Sequence, residues 1–292
     1  MENERERLYG LINRICDTIR GYNKIMKENR HYELTDETIE LDGHTLHRIR
    51  CTEDFWDITK GTLGGFVEGY KNLRDHAWVS DEAKVYNGAI VRDHAWVADE
   101  AKVYNDAIVR DHAWVTDEAK VYNGAIVSQH ARVSGMACVS NNASIAERAT
   151  VEDCASVRGW VSICGSAAIY DFAVIRQRNP KTLGISGWTK IGGDAVIESN
   201  YDYIVFKNWW SSGRYFTWTR SNDMWRVGCF YGTGKELIAK AYKDSKVSGR
   251  EYERVVKYVE QIKRDSKPSL WQRVKKMLKC NDNKTELQGP KH

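Results

Sequence analysis

From Asp75 to Ser128 the chain reads DHAWVSDEAKVYNGAIVR, DHAWVADEAKVYNDAIVR and DHAWVTDEAKVYNGAIVS, one eighteen-residue sentence written three times. Three positions vary among the copies: Ser80/Ala98/Thr116, Gly88/Asp106/Gly124 and Arg92/Arg110/Ser128. Inside each copy runs a period of six, in which a small residue is followed two places later by a branched aliphatic, as in Ala77/Val79, Ala83/Val85 and Ala89/Val91. The copies lose their identity after residue 128, yet the beat continues from Ala131/Val133 to Ala173/Ile175, making seventeen hexads in phase from Ala77 onward. A fixed short period held this long is the signature of a solenoid.

Residues i and i+2 of a strand point the same way, so Ala77 and Val79 face one side and Trp78 the other. A short strand and a tight corner every six residues give a coil with three flat faces. Eighteen residues complete a turn, and successive turns pair edge to edge at ~4.8 Å. The interior becomes a stack of Ala and Val/Ile rungs. A helix is excluded, because a six-residue beat cannot hold an apolar stripe on one face of a 3.6-residue helix.

The hexad [aliphatic]-x-[Asp/Asn]-x-Ala-x, three to a coil, resembles the left-handed β-helix of hexapeptide-repeat proteins, and the handedness is implied by that resemblance. The lead-in is similar too: Tyr32–Ile39, Asp42–Ile49 and Phe55–Glu68, running on to Asn72-Leu73. It resembles the N-terminal module of hexapeptide-repeat proteins common in phages and prophages, poorly characterised and often assigned as transferases. The resemblance covers roughly residues 32 to 199. It is specific for fold and weak for function.

Composition bounds the rest. The chain has 292 residues, 42% hydrophobic and 29% charged with three prolines, which suits a folded solenoid with one or two small modules. No apolar run spans a membrane, and MENERERLYG lacks the apolar core of a signal peptide, so a cytoplasmic protein is expected. Seven cysteines without CxxC spacing read as reduced thiols, and no metal is expected. The net charge of +4 hides an asymmetry: residues 75–175 carry 8 Lys/Arg against 14 Asp/Glu, whereas 240–292 carry 15 against 7. An acidic solenoid and a basic tail can attract each other.

Five segments are expected. Residues 1–30 read as an amphipathic helix with Leu8, Leu11, Ile12, Ile15, Ile19 and Met26 on one stripe. Residues 31–74 read as a capping module with a hairpin at Asp42-Gly43 and a glycine turn at Gly61, Gly64 and Gly65. The solenoid occupies 75–199, an aromatic-rich α+β domain 200–265, and a basic amphipathic tail 266–292. In the α+β domain, strands are expected over 203–206, 214–219 and 224–231, then helices starting at Thr233 and Ser248.

Outward positions of the coils form ladders. Trp78, Trp96 and Trp114 share one face; Lys84, Lys102 and Lys120 a second, with Tyr86, Tyr104 and Tyr122 beside them; Ile90, Ile108 and Ile126 the third. His76, His94, His112 and His130 fill one corner column. Stacked rings favour a sheet by neighbour contact alone, and equally offer a flat surface to a partner protein or an unstacked base. The isoleucines ask for cover, from the N-terminal helix, the C-terminal module or another subunit, and a homo-oligomer, trimer or dimer, is expected. Three near-identical coils supply three equivalent surfaces, whereas a catalytic site needs one asymmetric constellation.

Two function classes follow. The first is a non-catalytic binding or scaffold protein of phage or prophage type, with an anti-defence role by analogy. Its target would be a host protein, a nucleic acid or a nucleotide, held by the Trp and Tyr ladders and by Arg214, Trp218, Arg220, Trp225 and Arg226. The second follows from the resemblance: a coenzyme-A-dependent acyltransferase, with Arg176, Arg178 and Lys181 of the insertion after Ile175 gripping the cofactor phosphates. His130 is then the nearest general base, although it belongs to the His column. The basic tail segment 269–279 could lie on an anionic membrane, bind a partner or dock on the acidic solenoid.

Overall fold

The computed structural model describes residues 31–177 and 182–265. The expected N-terminal helix, the basic tail, Arg178 and Lys181 lie outside the described residues. Contacts divide the chain into two compact units: one holds the cap, the coils and Tyr215–Cys229, the other Asn208–Arg214 and the chain from Phe230.

The hexads form a left-handed parallel β-helix of about seven turns. Its three faces are parallel sheets in which each strand pairs with the one eighteen residues on, as Trp78↔Trp96↔Trp114, Lys84↔Lys102↔Lys120 and Ile90↔Ile108↔Ile126. The Ala and Val/Ile rungs from Ala77 to Ile175 are fully buried, so the six-residue beat is the core itself. Alanine at the corner and valine or isoleucine on the flat make up the buried triangular interior.

The corners account for the acidic residues of the solenoid. The first corner residue is left-handed, as at Asp75 (φ 55°), Asp81 (φ 54°), Asn87 (φ 50°) and Asp93 (φ 61°). Asp and Asn tolerate that region better than other non-glycine residues. Each carboxylate then accepts the backbone N–H of the residue one coil on: Asp99 Oδ2 from Asp117 (3.0 Å), Asp117 from Gly135 (2.8 Å), Glu147 from Gly165 (2.8 Å) and Asp171 from Gly193 (2.7 Å). The corner column is thus a hydrogen-bonded ladder between coils. At Gly88, Asp106, Gly124 and Asn142 the backbone is left-handed throughout (φ 78°, 60°, 71° and 68°), which Gly, Asp and Asn tolerate.

The N-terminal cap is a continuation of one face. Strands β1 (Tyr32–Leu41) and β2 (His44–Cys51) form the expected hairpin, with Asp42 and Gly43 both at positive φ. Strand β3 (Leu63–Val67) pairs antiparallel with β2 and parallel with the first coil, Phe66↔Lys84 and Val67↔Val85. Gly64 and Gly65 therefore lie inside a strand rather than in the expected turn; Gly61 (φ 91°) alone makes that turn. The reason is space: a Cβ on Gly64 would meet Val79 O at 2.5 Å, and one on Gly65 would meet Ala83 O at 2.5 Å. Arg48 clamps the junction, stacking on Phe66 at 4.2 Å and bonding Glu37 (2.7 Å) and Glu82 (2.8 Å).

His31 closes the cap over the first Trp. It is 4% exposed, its Nε2 sits 3.2 Å from Ala77 O, and its ring lies 4.0 Å from that of Phe55. Burial pushes its pKa below the usual histidine range and neighbouring His76 adds to this, against the Ala77 carbonyl. A histidine held neutral by the fold stabilises it above the unfolded pKa, and that stability is lost as pH falls toward the folded value. Urea midpoints of the wild type should therefore drop below about pH 6.5, by at most ~1.4 kcal/mol per pH unit from this group. His31→Phe should remove that component; a difference between the two proteins that does not change with pH would refute it.

The far end of the coils is closed by antiparallel strands Tyr203–Lys207, Tyr215–Thr219 and Met224–Val227. Their loops bond the last coil: Val196 N–H to Ser221 Oγ (2.8 Å), Asn222 Nδ2 to Asp194 (2.9 Å), and Tyr203 OH to Gly184 O (2.9 Å). An open solenoid end exposes unpaired strand, and this sheet covers it. The strand expected over 224–231 breaks at Gly228, which is at positive φ, and resumes as Phe230–Gly232.

The second unit carries helices α1 (Gly234–Asp244) and α2 (Lys246–Asp265). Thr233 caps α1 in a full capping box with Glu236, as the sequence predicts. Helix α2 begins two residues before Ser248, because Ser245 Oγ accepts the Ser248 N–H (3.0 Å). Gly249 lets the helices meet, since a Cβ there would touch the Tyr242 ring at 2.3 Å. Tyr252 is buried beneath Trp210, its hydroxyl accepting from Asn208 Nδ2 (2.9 Å).

Candidate functional site

The Trp column is graded rather than uniformly exposed. Trp78 is 1% exposed, under Phe55 and His31, and Trp96 is half-buried beneath Trp56. Trp114 is 44% exposed, with Arg132 of the next coil over its face at 5.7 Å. Only the Trp114 end of this ladder is open. The Tyr column behaves likewise. Tyr86 is buried and donates its hydroxyl to Asp42 (2.8 Å), while Tyr104 and Tyr122 stack behind it at 5.2 and 5.0 Å, half-buried. Burial, then the Asp42 carboxylate, pushes the Tyr86 phenol far up its range, so it stays protonated and donates.

The C-terminal aromatics are core. Trp218 (0% exposed) and Trp225 (2%) are cross-strand partners, and Trp218 Nε1 donates to Asp223 (2.9 Å). Arg220 lies over Trp218 at 5.9 Å and bonds Tyr201 O; Arg226 lies over Tyr170 at 4.9 Å. Trp218 and Trp225 are thus buried within the sheet, and Arg226 reaches the coil through Tyr170. Arg214 is exposed in the second unit.

His76, His94, His112 and His130 stack at 4.9–5.4 Å with near-parallel planes. Face-to-face rings do not aim their nitrogens at one ion, and among the described residues no group of three or more His, Cys, Asp or Glu could hold a metal. His130 is exposed at the end of this stack.

An open cleft of about 670 Å³ lies at a different corner, between Asn123 and Gln177, and Arg176 lines it. It arises where a ladder stops. Asn87, Asn105, Asn123 and Asn141 form a column in which each Nδ2 donates to the next Oδ1, at 2.5, 3.0 and 3.0 Å. The fifth position is Gly159, which has no amide to receive Asn141. Gly159 is obligatory there: its φ is 87°, and a Cβ would lie 1.9 Å from Gln177 O. The chain turns through it and presents Trp160, 46% exposed, with its backbone held by Gln177 O (3.2 Å) and the Leu183 N–H (2.9 Å).

Beside the glycine two arginines stand in register. Arg158↔Arg176 and Gly159↔Gln177 pair across parallel strands, which places the guanidinium stems one strand spacing apart. Arg176 Nε donates to Glu198 (2.6 Å); Arg158 is exposed, with no ionic or hydrogen-bonding partner among the described residues. Like charges on adjacent strands destabilise a sheet unless an anion intervenes. The lining side chains are guanidiniums, amides and an indole. They offer donors and a flat apolar face, and none exchanges protons near neutral pH.

Sequence reasoning reached Arg176 through the insertion that follows it and missed Arg158, Trp160 and the amide column. Writing the chain in rows of eighteen would have set Arg158 above Arg176 and shown Gly159 breaking a column of asparagines. Among the described residues no helix is long and apolar enough to cross a membrane. Compared with known proteins, the chain matches no protein-family model and no curated sequence.

Proposed function

We propose that this protein works by binding, and that the cleft between Asn141, Arg158, Trp160 and Arg176 takes an anionic, acceptor-rich ligand. The observation that carries this reading is the in-register arginine pair with one carboxylate between two charges. Asn141 Nδ2 adds a donor without a partner among the described residues, at the end of its ladder. The resemblance of residues 32–199 supports a setting as a cytoplasmic accessory protein of phage or prophage type. Trp114 beneath Arg132 is the part of the ladders that a host protein or nucleic acid would meet. The half-buried Ile90, Ile108 and Ile126 support self-association. A second reading, a coenzyme-A-dependent acyltransferase, is favoured by the position of Arg176 in the cleft, where cofactor phosphates would find two guanidiniums.

Titration with pyrophosphate by calorimetry tests the binding reading. The wild type should bind one equivalent, and Glu198→Gln should bind it several-fold more tightly, because Glu198 competes for Arg176. No heat up to millimolar pyrophosphate in either protein would overturn it. Acetyl transfer from acetyl-coenzyme A would favour the second reading instead.

A further inference from the structure

We infer that the ligand of this cleft is a nucleotide, with its base on Trp160 and its phosphates on Arg158 and Arg176; this rests on the anion-binding reading above. Three walls of different chemistry meet there. The guanidiniums fit phosphate in a fork geometry that suits bidentate bonding. They would also accept a carboxylate or sulfate, so they do not choose the class by themselves.

Trp160 makes the choice. Of the other exposed indoles of the coils, Trp56 lies on His94 and Trp96, Trp114 lies beneath Arg132, and Trp188 does not line the cleft. Trp160 has no ring or cation against it among the described residues, although it is half-exposed beside two arginines. A left-handed glycine precedes it and backbone bonds hold it on both sides, so its presentation is built into the coil. An open indole face beside phosphate-binding groups is a platform for a base, and such stacking is worth ~1–3 kcal/mol.

The amide column supplies the third wall. Asn141 brings an amide N–H without a partner among the described residues, and Asn142 lines the same cleft. Amides carry donor and acceptor together, which matches the edge of a base better than it matches a simple anion. A cleft of about 670 Å³ falls in the usual range for small-ligand sites. A bare polyphosphate would use the arginines and leave the indole and amides idle.

The test compares ATP and UTP with tripolyphosphate on the full-length protein, by calorimetry and tryptophan fluorescence. At least one nucleotide should bind about tenfold more tightly than tripolyphosphate. Trp160→Ala should erase that preference while tripolyphosphate still binds, and Trp160→Phe should restore most of it. Equal affinity for both nucleotides and tripolyphosphate, or a preference that survives Trp160→Ala, overturns the nucleotide assignment and leaves the anion site standing. Binding of none of the three overturns both.

Discussion

Gly65→Val should detach the N-terminal cap from the first coil and cost about 3 kcal/mol or more of unfolding free energy, at the upper end of overpacking penalties. The Cβ would sit 2.5 Å from Ala83 O, 2.8 Å from Val79 Cγ1 and 3.0 Å from Ser80 O. Two of these are backbone oxygens of the first coil, so no rotamer change relieves the clash. Relief has to come from moving β3, and β3 is the strand through which the cap joins the coil by Phe66↔Lys84 and the Phe66 N–H to Ala83 O bond (2.8 Å). Moving it also exposes Trp78, which the cap covers, and leaves a parallel strand edge free to pair with other chains. The urea midpoint should fall steeply, and aggregation on warming should appear. Gly69→Val is the control, since a Cβ at Gly69 meets nothing within 4 Å and its φ is ordinary. A Gly65→Val protein within 1 kcal/mol of the control would show that the junction yields more easily than its contacts imply.

That junction marks the limit of what the repeat conveys. The coils were legible because one rule, small then branched two residues on, sets every rung, and strand geometry converts the rule directly into three faces. The hairpin at Asp42-Gly43 and the capping box at Thr233-Glu236 were legible for the same reason: each is a local signal with a local cause. The glycines of β3 were not, because what requires them is the approach of Val79 and Ala83, distant from any turn signal. Burial of the ladders was also out of reach. Trp78, Trp96 and Trp114 occupy identical sequence surroundings, and their different exposures come from Phe55 and Trp56 in the cap. Trp218 and Trp225 invited a nucleic-acid reading by composition, yet both are buried as cross-strand partners in the C-terminal sheet.

Replacing both cleft arginines, Arg158→Ala with Arg176→Ala, should abolish measurable binding of pyrophosphate or nucleotide while leaving the unliganded fold as stable as before. Each guanidinium offers charge-assisted hydrogen bonds worth ~1.5–3 kcal/mol to an anion, about ten- to a hundredfold in affinity. The stability half of the expectation distinguishes a binding role from a structural one. In the free protein the two stems stand in register on adjacent strands, where like charges repel, and only Arg176 has a carboxylate. That pair is solvent-facing, with Glu198 56% exposed, and surface ion pairs contribute about 0–1 kcal/mol. Loss of repulsion and loss of the ion pair then nearly cancel, and the urea midpoint should stay within ~0.5 kcal/mol of wild type. Arg158→Lys separates charge from geometry, since it keeps the positive charge and removes the fork. Intermediate affinity there would assign part of the binding to bidentate contact. A double alanine variant that binds unchanged would remove the cleft from the argument. One that also unfolds would mean that the arginines hold the coils together, and that their unbalanced charge has another explanation.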